Sequence, residues 1–287
     1  MTVYSAWLLC LSIALSAGRN IFSGAVSSIP VKTKAFYASQ ALIFLTGVIP
    51  LLLAGGLRFS VSAATIALAF LYGILLVSAQ WNYVIALKEG RVGICATVYS
   101  LGFILPTLSG MIFWNEKISL VRIIGILTVI PAMIVSGKKD RTESKGTGYF
   151  APLILAMLSS GGLGVLQKVQ QTTGYAEEKS TFLLLAFLIA GSLSLFAGVF
   201  TKAGDVRITG KTTGYCVLVG LCFSICNLIN TVLAGILDSA VFFPLLNIGG
   251  ILFSLALSVM AFHEKITKKT LVILLLGAMA IVFVNAG

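Results

Sequence analysis

The chain has 287 residues, of which 58% are hydrophobic and only 10% charged, with a mean hydropathy of +1.05. A water-facing domain carries about 25% charged residues, so a soluble globular fold is excluded and the surface must face hydrocarbon. The net charge of +11 does not signal nucleic acid, because the basic residues stand singly or in short groups between apolar segments. In that placement they serve topology and contact with anionic lipid.

A membrane span needs about 20 apolar residues, and that ruler places ten. The first, Val3–Ser27, has no basic segment ahead of it and outruns a signal-peptide core, so it reads as a span and not a cleaved leader. It carries Arg19 and Asn20. An arginine inside a span is costly and marks function by default. Its planar fork matches a carboxylate or phosphate on a solute; the alternative is that it snorkels to an interface.

The second span, Ala35–Ala54, carries Gln40, and the third, Ala64–Leu87, carries Gln80 and Asn82. Beside them, Trp81 and Tyr83 can stack on a flat solute or anchor at an interface. The fourth, Val92–Trp114, holds Tyr99, and the fifth is Val121–Ser136. The polar run KKDRTESK, Lys138–Lys145, follows at mid-chain.

The sixth and seventh spans are Tyr149–Val169 and Thr181–Thr201. The eighth, Thr213–Gly235, holds Asn227 and Asn230, three residues apart and so on one helix face. The ninth, Ser239–Phe262, follows an N-capping Asp238 and holds Asn247; the tenth is Thr270–Asn285. Amides at these depths go unsatisfied if they face lipid. They therefore face the bundle interior, where they bind a polar solute or tie helices together.

The cysteines Cys10, Cys95, Cys216, Cys222 and Cys226 all lie in apolar segments without a CxxC, as small buried thiols do. His263 is the only histidine. No metal and no cofactor is expected.

The central polar run prompts a search for a repeat. A shift of 148 residues lays Asn115-Glu116-Lys117-Ile118 over His263-Glu264-Lys265-Ile266, Asn82 over Asn230 and Ala86 over Ala234. A shift of 143 lays Leu15-Ser16-Ala17-Gly18 over Leu158-Ser159-Ser160-Gly161. The expected organisation is all-α, with five spans in residues 1–137, a polar linker at 138–148 and five spans in 149–287. An odd number of spans per half turns the second half upside down, which is the inverted repeat of many secondary transporters.

Trp114-Asn115-Glu116-Lys117-Ile118 and Phe262-His263-Glu264-Lys265-Ile266 each close a span and precede a glycine-bearing helix, through Gly125 and Gly277. With Ser16-Ala17-Gly18 late in the first span and Pro30 before the second, the chain resembles the ten-helix, EamA-like group of the drug/metabolite transporter superfamily over essentially its whole length. Asn115 and His263 stand where that family has glycine, and the basic residue that often opens its second helix is here displaced to Lys32 and Lys34. The resemblance implies two EamA-like five-helix repeats and transport of a small polar metabolite such as an amino acid, nucleoside or sugar.

The leading expectation is therefore a secondary transporter, multi-pass in the plasma membrane, with a small solute, surrounding lipid and a second copy of the chain as partners. The candidate solute-binding residues are Arg19, Asn20, Gln40, Gln80, Asn82, Tyr99, Asn227, Asn230 and Asn247. The alternative is a membrane-embedded, lipid-linked transferase. Against it, the nine acidic residues form no paired-acid motif, and no Ser/His/Asp arrangement exists. A channel would need a filter or charge ring that the sequence lacks. Glu116 and Glu264, at loop edges, are expected to cap the helix that follows or to pair with a cation. With no carboxylate deep in a span, exchange or facilitated diffusion is expected over proton coupling.

Orientation divides two arguments. Loops after odd-numbered spans hold fourteen basic residues and those after even-numbered spans five; with Arg19 these make the twenty in the chain. Basic loops stay in the cytoplasm, which puts both termini outside. The family resemblance implies both inside.

Overall fold

The structure, a computed structural model, describes residues 2–26, 29–55, 61–89, 95, 98–137, 148–202, 208–262 and 268–286. Among these there are ten α-helices and no strand. They are α1 (Val3–Val26), α2 (Lys34–Gly55), α3 (Ala63–Glu89), α4 (Ile104–Phe113), α5 (Leu120–Gly137), α6 (Phe150–Thr172), α7 (Lys179–Phe200), α8 (Gly210–Ile236), α9 (Ser239–Phe262) and α10 (Lys268–Ala286). Nine follow their expected spans closely. The fourth differs: a 3-10 turn at Leu101–Phe103 leads into a short α4, and most of 90–97 lies outside the described residues.

Long apolar runs form helices here because a helix satisfies every interior backbone group within itself. Hydroxyl residues start several of them by accepting an orphan backbone N–H. Thr33 Oγ1 accepts from Phe36 N at 3.1 Å for α2 and Ser62 Oγ from Thr65 N at 3.1 Å for α3. Ser119 Oγ accepts from Arg122 N at 3.2 Å for α5, and Thr209 Oγ1 from Thr212 N at 3.3 Å for α8. Five helical stretches are long and apolar enough to cross a membrane: Lys34–Gly55, Ala63–Ala86, Phe150–Thr172, Ala176–Phe200 and Gly210–Ile236. The remaining apolar helices are shorter within the described residues.

The two halves of the chain interleave. α1 packs on α8 and α9, α2 on α7 and α8, α3 on α6 and α7, α4 on α6 and α9, and α5 on α9 and α10. Two apolar cores result. One joins α2, α3, α7 and α8 through Phe36, Phe44, Tyr72, Phe182, Phe187 and Phe223. The other joins α1, α5, α8, α9 and α10, with Phe103 at the head of α4, through Leu9, Val129, Leu233, Phe242, Ile248 and Val284. The outer surface is strongly apolar: Trp7, Leu53, Phe113, Leu120, Val199 and Phe200 are all more than two-thirds exposed. Exposed large apolar side chains in this number suit a lipid-facing wall.

Candidate functional site

Between the two cores lies a cavity of about 190 Å³ lined by α1, α3, α4 with the turn before it, α6, α8 and α9. Six of the residues expected from sequence reach it: Arg19, Gln80, Tyr99, Asn227, Asn230 and Asn247. Gln40 does not; it is only 3% exposed inside α2, with Oε1 unpartnered. Nor does Asn82, whose Nδ2 donates to Ser78 O at 2.8 Å on its own helix. The Asn20 side chain lies outside the described residues. Trp81 and Tyr83 are also absent from the lining. Trp81 packs edge-on against Tyr37 at 4.9 Å, and Tyr83 against Tyr99 at 4.4 Å.

The sequence reading missed Tyr72 and Gln167. Tyr72 Oη donates to Asn227 Oδ1 at 2.6 Å and accepts from Gln167 Nε2 at 3.0 Å. Asn227 Nδ2 donates to Phe223 O at 2.8 Å. Gln167 is an amide inside a predicted span, so the reasoning applied to Gln80 would have found it; Tyr72 carries no such signal. Cys226, read as a filler, is more than that. Its Sγ lies 3.0 Å from Ser16 Oγ on α1 and 3.6 Å from Asn230 Nδ2, and Ser12 Oγ donates to Asn230 Oδ1 at 2.5 Å.

The lining thus divides into engaged and free groups. Tyr72, Gln167, Asn227 and Asn230 spend their polar atoms on one another and on neighbours. Arg19, Gln80, Ser100, Ser160 and the Tyr99 hydroxyl make no hydrogen bond or ion pair among the described residues. The Arg19 guanidinium lies over the Phe223 ring, its Cζ 4.5 Å from the ring centroid. Such stacking holds the guanidinium plane while leaving its edge N–H groups open.

One turn beyond the cavity the structure is locked. A Cβ on Gly164 would lie 2.8 Å from Phe243 Cε1 and 2.9 Å from Pro106 Cγ, so α4, α6 and α9 meet at the cavity floor. Four residues further along each helix, about 6 Å, come Gly110, Lys168 and Ser239. There Lys168 Nζ pairs with Glu116 Oε1 at 2.9 Å, and both side chains are nearly buried, at 9% and 7% exposed. Ser239 N donates to Glu116 Oε2 at 2.7 Å, and Lys168 Nζ donates to Leu237 O at 3.1 Å.

The backbone explains how Glu116 gets there. Asn115 has φ 52°, a left-handed conformation that glycine adopts freely and asparagine tolerates. Glu116 N donates to Gly110 O at 3.1 Å, folding the motif back under α4. Glu116 therefore pairs with a cation, as expected, but caps α9 and not the helix that follows it. Asp238 does not act through its carboxylate at that cap: its Oδ2 pairs with Arg122 Nη1 at 3.2 Å. His263 and Glu264 lie outside the described residues.

Two pairs of features correspond under the sequence shifts. Ser78 and Ser159 hydroxyls lie 2.7 Å apart, with Asn82 Nδ2 3.4 Å from Ser78 Oγ. Their counterparts are Cys226, Ser16 and Asn230, in the same arrangement between α8 and α1. The glycines differ. A Cβ on Gly161 would lie 2.6 Å from Gly102 O, whereas at their counterparts Gly18 and Gly250 no atom of the described residues stands within 4 Å.

No protein-family model matches the chain, and no curated protein matches it. Solved structures do: 28 chains match. One, described only as "Crystal structure of protein", has a TM-score of 0.80 at 15% identity, covering 100% of this chain and 98% of its own. At that identity the likeness shows a shared fold and nothing of activity.

Proposed function

We propose that the chain spans a membrane ten times as two inverted five-helix repeats and carries a small polar metabolite across it by alternating access. The carrying observation is the cavity lining. It comes from the first, third and fourth helices of each half: α1, α3 and α4, then α6, α8 and α9. The helix contacts follow the same exchange, since α1 on α8 answers α6 on α3, and α2 on α8 answers α7 on α3. The matched Asn82–Ser78–Ser159 and Asn230–Cys226–Ser16 clusters support both repeat registers. Solute sites of inverted-repeat carriers lie at such an interface.

Alternating access needs halves that differ in packing while sharing a sequence pattern. The tight Gly102–Gly161 approach and the open Gly18–Gly250 counterpart are that difference. The Glu116–Lys168 pair, one turn past the floor, serves as a latch on the closed side. The motif residues Asn115-Glu116-Lys117-Ile118 and His263-Glu264-Lys265-Ile266 carry the proposed kinship with the EamA-like group, and the apolar surface supports residence in a membrane, which we take to be the plasma membrane. Arg19, Gln80 and Tyr99 contact the solute in this reading, with Asn227, Asn230 and Asn247 as the hydrogen-bonded scaffold that lines the site; Gln40 and Asn82 serve packing.

The test begins with metabolite pools screened for thermal stabilisation of purified protein, because a true ligand stabilises by mass action. The stabilising solute is then followed in proteoliposomes. Saturable flux that exchanges with internal solute is the expected result. Chemical conversion of the ligand, or flux that never saturates, refutes the carrier in favour of an enzyme or a channel.

A further inference from the structure

We infer that the bound solute presents a single carboxylate to Arg19, Gln80, Tyr99, Ser100 and Ser160 and extends an apolar body toward the cavity floor. This deepens the transporter reading and rests on it for direction of use, though not for binding. The levels of the helices follow from their contacts. Tyr72–Gln167 and Ser78–Ser159 set α3 antiparallel to α6, and Ser12–Asn230 and Ser16–Cys226 set α1 antiparallel to α8. Gln80 is therefore about 12 Å from the Tyr72 level along α3, and Ser160 about 10 Å from the Gln167 level along α6. The free polar groups gather at one end of the cavity, with Arg19 above Phe223. The engaged groups lie at the other.

A polar atom that opens onto a cavity without a partner is a recognition group; one already bonded is scaffold. The free set holds one cation, one amide and three hydroxyls, which suits an anion. Between that end and the floor stand Leu76 and Leu163, and Phe243 packs at the floor against Gly164; these suit hydrocarbon. No acidic side chain lines the cavity among the described residues. The ammonium of a zwitterion would be desolvated without a counter-charge, and a second negative charge would lack a second cation. The volume, about 190 Å³, falls below the 300–1,000 Å³ or so of drug-sized sites.

A series on one carbon skeleton tests this: 4-methylpentanoate, its amide, leucine and isopentyl phosphate, each titrated against purified full-length protein by thermal shift. The carboxylate is expected to stabilise, with the amide, the zwitterion and the phosphate clearly weaker. Arg19→Gln is expected to weaken carboxylate binding about tenfold to a hundredfold, as loss of a charge-assisted hydrogen bond does. Arg19→Lys should restore part of it, and Gln80→Leu, which keeps the cation, should weaken it severalfold. Equal stabilisation by the amide or leucine, tighter binding of the phosphate, no effect of the carboxylate on wild type, or full binding by Arg19→Gln would each overturn the assignment. Binding without flux in proteoliposomes would sink the carrier and leave the headgroup site standing; saturable exchange of leucine would do the reverse.

Discussion

Removing the charge of Glu116 tests the latch most sharply. Glu116→Gln keeps an oxygen for the Ser239 N–H but strands the Lys168 ammonium, which is left with Leu237 O alone. Breaking one side of a buried ion pair costs about 3–5 kcal/mol, whereas replacing both sides by apolar groups is near neutral or stabilising. With side chains 9% and 7% exposed, little solvent screens the loss. At roughly 2–4 °C per kcal/mol for a chain of this size, Glu116→Gln should lower Tm by roughly 6–20 °C. Lys168→Met should cost a similar amount, because the carboxylate then stays buried without its cation. The double variant Glu116→Leu/Lys168→Met should recover most of either loss. Thermal unfolding of the four proteins in one detergent measures the cycle. A double variant whose loss equals the sum of the singles, or a Glu116→Gln protein as stable as wild type, would refute the claim that this pair holds α4, α6 and α9 together.

Other expectations concern motion and direction. Gly161→Ala places a Cβ 2.6 Å from Gly102 O, and overpacking of that kind costs about 1–3 kcal/mol; a Tm equal to wild type would show that α4 and α6 separate freely. A Cβ on Gly18 meets no atom of the described residues within 4 Å, so Gly18→Ala should hold stability while exchange slows, if the Gly18–Gly250 pair closes in the opposite state; undiminished exchange would argue against that closure. Because no carboxylate lines the cavity among the described residues, an imposed pH gradient alone should drive no uphill uptake beyond that of protein-free liposomes, measured as solute accumulated in proteoliposomes. On the basic-residue asymmetry the C-terminus is expected outside, so a reporter active only outside should signal there, and a cytoplasmic signal would favour the family analogy instead.

The site was legible where cost made it so. Arg19, Gln80, Asn227 and Asn230 stand out in a linear reading because an unsatisfied polar group in hydrocarbon is expensive, so its presence in an apolar run already says that it faces inward. The same logic pointed to Gln40 and Asn82, which stand off the cavity lining. It detects that an amide is inside the bundle, and not whether that interior is a cavity or a helix contact. Tyr72 went unseen because a tyrosine in a span is as ordinary as a core ring. Glu116 was recognised as a cap or ion partner, but the helix it caps, α9, lies more than a hundred residues along the chain.

By itself, then, the sequence determined the all-α character and, among the described residues, the number and near-ends of the helices. Hydropathy, span length and residue identity are local quantities, and the bilayer ruler acts on each segment separately. Only the tertiary structure decided which polar groups are spent on one another and which remain free, that Cys226 meets Ser16 as Ser78 meets Ser159, and that Gly102 and Gly161 touch while no described atom stands within 4 Å of a Cβ on Gly18 or Gly250. Those outcomes depend on antiparallel neighbours far apart in the chain and on gaps of a few ångströms between helices, which no periodicity along a single helix can encode.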